Sequence, residues 1–134
     1  MKVSVFGNPD LDKDSLVVRM VPKLKKKLPE IEFKVEDPVE GLKPAKKGLW
    51  VILDVAEGIE EVRVIEDVER LVDERRVSLH DYDVAMELKL LKKLGKMGEV
   101  KIMMVGMEMG EKEALVGVVK KLKKIIAKEL HQKY

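Results

Sequence analysis

The run Leu49-Trp50-Val51-Ile52-Leu53, ending in Asp54, constrains the fold more than any other part of this chain. Five consecutive apolar residues lack the alternation of a strand with one wet face. Such a run reads as a strand covered on both faces, the central strand of a parallel sheet. Parallel neighbours cannot be joined by a tight turn; they need a crossover of a dozen residues or more, usually a helix. The flanking sequence should therefore alternate strands with amphipathic helices that cover both faces of one sheet.

The rest of the chain follows that pattern. Residues 2–6 form a β-branched and aromatic run stopped by Gly7-Asn8-Pro9. From about Asp12 the period changes: Leu16, Met20, Leu24 and Leu28 recur at helical spacing, with Val17 and Val21 beside them and Lys23, Lys25, Lys26 and Lys27 opposite. Pro22 predicts a kink or an early break there, because it has no N–H to donate. Residues 31–35 alternate like an edge or half-exposed strand, and Asp37-Pro38, Gly41, Pro44 and Gly48 make a loop. After the central run, Glu57-Gly58 turns the chain into a short strand over 62–65, and so brief a link favours an antiparallel pair. Asp67 is placed to cap a short helix through Val72, and residues 76–79 read as a weak strand leading into His80. Residues 81–94 put Val84, Leu88 and Leu91 on one stripe, with Gly95 as the C-cap. The last strand spans 100–105 and breaks at Gly106. A helix from Glu111 to about Leu130 then turns Leu115, Val118, Val119, Leu122, Ile125 and Ile126 inward, leaving His131 in the tail. The expected fold class is α/β: a three-layer α/β/α sandwich with a mostly parallel, five-stranded sheet containing one antiparallel strand, with residues 1–134 as a single domain.

Composition bears on function by exclusion. Cysteine is absent, which rules out disulfides, thiolate metal sites and cysteine nucleophiles, so a metal would have to be held by carboxylate, imidazole, carbonyl or water. Charged residues make up 39% of the chain yet balance to a net charge of +2, unlike a nucleic-acid binder. Abundant Lys and Glu with many Val and Ile lean toward a heat-adapted (thermophile) protein. The opening MKVSVFGNP reads as a strand and turn rather than a signal peptide, and no apolar run approaches the length of a membrane span; a cytoplasmic protein is the expectation.

Three chemistry-bearing residues fall at one edge of such a sheet. In open α/β sheets, sites form beyond the carboxyl ends of the strands, beside a reversal of strand order. Asp54 follows the central strand, Asp14 follows the first strand, and His80 opens the helix over 81–94. Two carboxylates and an imidazole suit a first-row divalent ion such as zinc or nickel. Each also has an ordinary structural reading: Asp14 as a helix cap, Asp54 as a polar residue closing a buried strand, His80 as a capping or solvent-facing histidine. The methionines at 103, 104, 107 and 109 suit packing better than a soft-metal site.

The run VSVFGNPDLDKDSLVVRMV resembles the N-terminal strand and turn of the hydrogenase maturation endopeptidases, with GN followed by an acidic cluster that opens the first helix. LWVILDVAEG resembles the strand that carries that family's second acid, SLHDYDVAMELKLLKKLG the helix entered by its histidine, and VKIMMVGMEM its last strand and glycine turn. The resemblance implies an endopeptidase that removes a C-terminal peptide from a nickel-loaded hydrogenase large-subunit precursor. It implies Asp14, Asp54 and His80 as the catalytic and metal-contacting residues, with Gly7 and Asn8 shaping the substrate pocket. The metal would be nickel carried by the substrate, with zinc or cadmium standing in for it in vitro. No nucleic-acid or membrane partner is implied. Two alternatives remain at this level: a non-catalytic relative acting as a binding or maturation scaffold, and a receiver-like phospho-acceptor domain with Asp54 as acceptor.

Overall fold

The computed structural model describes residues 1–7, 15–37, 40–45, 48–66 and 79–132, without the side chains of 79–85 and 131–132. In chain order the described elements are β1 (Lys2–Phe6), α1 (Leu16–Lys27), β2 (Glu32–Glu36), β3 (Trp50–Ala56), β4 (Arg63–Ile65), α2 (Leu79–Lys93), β5 (Val100–Gly106) and α3 (Glu111–Gln132). The strands form one sheet in the order β2-β1-β3-β5-β4. All neighbouring pairs are parallel except β4 with β5, which is antiparallel. This is the expected α/β sheet of five strands with one reversed, except that β4 pairs with β5 and not with β3, the strand its short link follows, because β5 takes the place beside β3.

Side-chain alternation along the strands divides the core in two. Val3 and Val5 of β1, Val51, Leu53 and Val55 of β3, and Met103 and Val105 of β5 face α1 and α3. Phe6, Trp50, Ile52, Ala56, Ile102 and Met104 face the other way, under Leu88 of α2 and under Leu42 and Ala45 of the loop after β2. The methionines at 103 and 104 thus fill opposite layers of the core. Met107 and Met109 pack against the first layer.

Several local expectations needed correction. α1 runs through Pro22 without a break. The N–H that Pro22 lacks would have reached the Val18 carbonyl, but Pro22 lies on the exposed side, where water can take that acceptor. Val17, Met20, Val21 and Leu24, all buried, hold the helix to the sheet on the other side. Leu79, expected to close a short strand, is instead the first residue of α2. Residues 76–78 and the short helix expected over 67–72 lie outside the described residues. α3 continues to Gln132, so His131 is helical rather than in a tail.

The ends of α2 and β5 rely on glycine. Gly95, at φ +67, closes α2 with bonds from its own N–H to the Lys92 carbonyl and from the Lys96 N–H to the Leu91 carbonyl. That pair of bonds is a Schellman cap, which favours glycine at the left-handed position. Gly106 is glycine for a different reason: a Cβ there would lie 1.8 Å from the Ile59 carbonyl oxygen. Among the described residues, no helix is long and apolar enough to cross a membrane.

Candidate functional site

β1 pairs with β2 on one side and β3 on the other, so the order of the sheet reverses between β1 and β3. The crevice beyond the carboxyl ends of those two strands is where such sheets bind ligands. Gly7 is the first residue past β1 at this crevice. Asp54 lies beside it, although not quite as the sequence suggests: β3 continues to Ala56, so Asp54 is inside the strand, two residues before its end. The half-buried Asp54 carboxylate accepts the N–H of Val55 through Oδ1 at 2.8 Å.

The register shows what surrounds Asp54. Phe6 pairs with Glu36, Val5 with Leu53, Asp54 with Met104, and Met104 with Arg63. Directly paired residues share a face. A row therefore crosses the sheet near its carboxyl edge, on the side of α2: Glu36, Phe6, Asp54, Met104, Arg63. Arg63 stands two strand spacings from Asp54, roughly 10 Å between backbones, within reach of two long side chains or of one ligand between them. Arg63 is exposed.

His80 is the second residue of α2, on the same side of the sheet as Asp54. The chain leaves α2 at Lys93 and enters β5 at Val100, so α2 runs antiparallel to the strands and begins at their carboxyl edge. Eight residues of helix separate His80 from Leu88, a rise of about 12 Å. Leu88 packs with Trp50 and Ile52, and Asp54 lies two to four residues beyond these, roughly 7–13 Å along β3. Both measures bring the start of α2 to the level of Asp54. At the start of α1 the N-cap position falls on Ser15, whose carbonyl accepts the Arg19 N–H at 2.9 Å. Asp14 and Asn8 lie outside the described residues. Of the three residues that could meet a metal, only the side chain of Asp54 is described. Among the described residues, no three acidic or imidazole groups converge.

A second polar group underlies the same face. The Trp50 indole Nε1 donates to Ser4 Oγ at 2.8 Å, and Ser4 Oγ donates to Glu36 Oε2 at 3.2 Å. Lys2 Nζ lies 2.6 Å from Glu36 Oε1 and donates to the Lys43 carbonyl at 2.9 Å. Among the described residues no hydrogen-bond donor is aligned on Glu36 Oε1, and the Lys2 charge offsets its burial. Together these groups tie β3, β1, β2 and the loop after β2 into one unit. The Leu42 N–H extends it to Glu87 of α2 at 3.4 Å. Sequence reasoning singled out neither this network nor Arg63. The local signal was a polar Ser4 between the buried Val3 and Val5, and its partners are 32 and 46 residues away.

A mixed sheet with a reversed edge strand, carrying an acid at its switch point and a helix start beside it, defines a class of α/β proteins with a crevice at the carboxyl edge. Among solved structures, the chain is similar throughout to the hydrogenase maturating endopeptidase HybD from E. coli: 18% identity over 92% of this chain and 93% of that one, with a TM-score of 0.61. It is likewise similar to the hydrogenase 3 maturation protease, at 17% identity over 90% of this chain and 87% of that one, TM-score 0.62. A third likeness is to the hydrogenase 2 maturation peptidase from a Thaumarchaeota archaeon, at 17% identity over 94% and 98%, TM-score 0.54. No family model matches the chain, and no curated protein matches it. The fold is therefore that of the hydrogenase maturation endopeptidases, the family the sequence resembles.

Proposed function

We propose that this protein is an endopeptidase of hydrogenase maturation, removing a C-terminal peptide from a nickel-loaded large-subunit precursor. The observation that supports the reading is that Asp54 and the start of α2, the helix bearing His80, lie at the same carboxyl edge of the sheet, in a fold shared with three such peptidases. Asp14, the third member, follows β1 in sequence and lies outside the described residues. Two carboxylates and an imidazole form a hard-to-borderline donor set, suited to nickel carried in by the substrate. In this reading the three side chains contact that substrate metal and fix the scissile peptide beside it, while Gly7 and Asn8 line the crevice floor. The metal, when present with the substrate, supplies Lewis-acid polarisation. Ala replacements at Asp14, Asp54 and His80, assayed on nickel-loaded precursor by loss of the C-terminal peptide, should each abolish processing. Retained processing in all three would overturn the reading.

The alternative of a non-catalytic scaffold differs from this in one result: stable precursor binding by the wild-type chain with no cleavage. The receiver-like alternative is disfavoured by topology. That class has an all-parallel sheet in the order 2-1-3-4-5, whereas here the outer strand is reversed and the order is β2-β1-β3-β5-β4.

A further inference from the structure

The near-neutral net charge conceals a strong segregation. α1 and α3 together carry eleven basic residues against three acidic ones, whereas the rest of the chain carries sixteen against twenty-two. Both helices cover the face of the sheet opposite Asp54. Between α3 and the C-terminal end of α1 lies an open groove of about 490 Å³, lined by Lys27, Lys112, Lys120 and Lys123 around Leu115, Val116 and Val119. No acid lines it. Val116 is 62% exposed in the floor.

We propose that this groove docks an acidic amphipathic helix of a partner protein. The lining residues of α3 recur at helical spacing from 112 to 123, a rise of roughly 17 Å, which accommodates about three turns of a helix laid alongside. A solvent-facing helix surface is ordinarily laced with opposite charges. Here Lys120 and Lys123, both in the lining, are i,i+3 neighbours of like charge and repel one another. An acidic partner relieves that repulsion, and aliphatic side chains on its inner face cover Val116 and Val119. Nucleic acid fits less well, because the lining holds neither arginine nor an aromatic side chain to meet bases. A bilayer surface needs a broad bulky apolar face, and Val116 is the one strongly exposed apolar residue in the lining.

The probe is a synthetic fluorescent peptide of three to four helical turns with leucines on one face and glutamates on the other, titrated by anisotropy against the full chain. Saturable binding that weakens about tenfold on raising the salt from tens to hundreds of millimolar is expected. Lys120→Glu with Lys123→Glu, and separately Val116→Asp, should each weaken it by about tenfold or more while leaving the circular dichroism unchanged, since all three side chains are exposed. A scrambled peptide of the same composition should bind several-fold more weakly. Asp54→Ala should bind like wild type, which separates this surface from the crevice. Absence of saturable binding, equal binding by the variants, or tighter binding of a single-stranded oligonucleotide or of phosphatidylglycerol vesicles through the same lysines would overturn the proposal.

Discussion

Replacing Gly106 by Ala is the sharpest test of how the carboxyl edge is assembled. Gly106 ends β5, pairs with Ala56 of β3, and is followed by a bond from the Met107 N–H to the Ala56 carbonyl at 2.9 Å. The added Cβ would lie 1.8 Å from the Ile59 carbonyl oxygen and 2.9 Å from its carbon. Real carbon–oxygen contacts stay beyond about 3 Å, so the two backbones must part by more than an ångström. Neither side is a flexible side chain that can rotate away. The strain falls on the segment that buries Ile59 and Val62 and leads into Arg63. Overpacking of this kind costs about 1–3 kcal/mol, and a weakened backbone hydrogen bond adds about 1 kcal/mol. At roughly 2.1 cal/mol/K of unfolding entropy per residue, a loss of about 3 kcal/mol lowers the melting midpoint of a 134-residue chain by about 10 °C. Differential scanning calorimetry reads this directly, with Gly98→Ala as the control, because a Cβ at Gly98 meets nothing within 4 Å. The control should be neutral or slightly stabilising, through a less flexible unfolded chain. A Gly106→Ala melt within about 2 °C of wild type, on the same entropy scale, would refute the close-packing argument.

Two further predictions follow from the α2 face. Lys2→Met removes the charge facing the buried Glu36 carboxylate and should destabilise by about 2–4 kcal/mol in urea titration, while adding Glu36→Gln should recover at least half of that loss. If the double variant is as unstable as Lys2→Met, the ion pair is not what holds Glu36 in place. Leu88→Ala empties a fully buried site above Trp50 and should cost about 2–5 kcal/mol in the same titration, whereas Leu90→Ala, on the exposed side of α2, should cost less than about 1 kcal/mol.

Legibility varied from element to element. The apolar run at 49–53 implied a covered parallel strand, and β3 proved to be the middle strand of the sheet. α3 was read nearly residue by residue: Leu115, Val118, Leu122 and Ile125 are buried and Val119 and Ile126 half so, because a regular heptad-like stripe leaves little choice of face. α2 was harder. Its expected inner stripe includes the buried Leu88, but Met86, Leu90 and Leu94 form a second apolar row that the structure leaves exposed. A helix apolar on two sides does not say which one the sheet takes. Pro22 pointed to a break that α1 does not make, since a local rule about a missing N–H ignores the buried stripe that holds the helix to the sheet.

For the candidate site, the sequence by itself determined that Asp54 lies near the carboxyl end of a buried strand and that His80 stands at a helix start, because both follow from periodicities a few residues long. Only the tertiary structure decided the row in which Arg63 and the buried Glu36 flank that strand, and the lysine-lined groove between α1 and α3. Strand register and helix juxtaposition join residues tens of positions apart. They are settled by how the whole core packs, a quantity no local window of sequence contains.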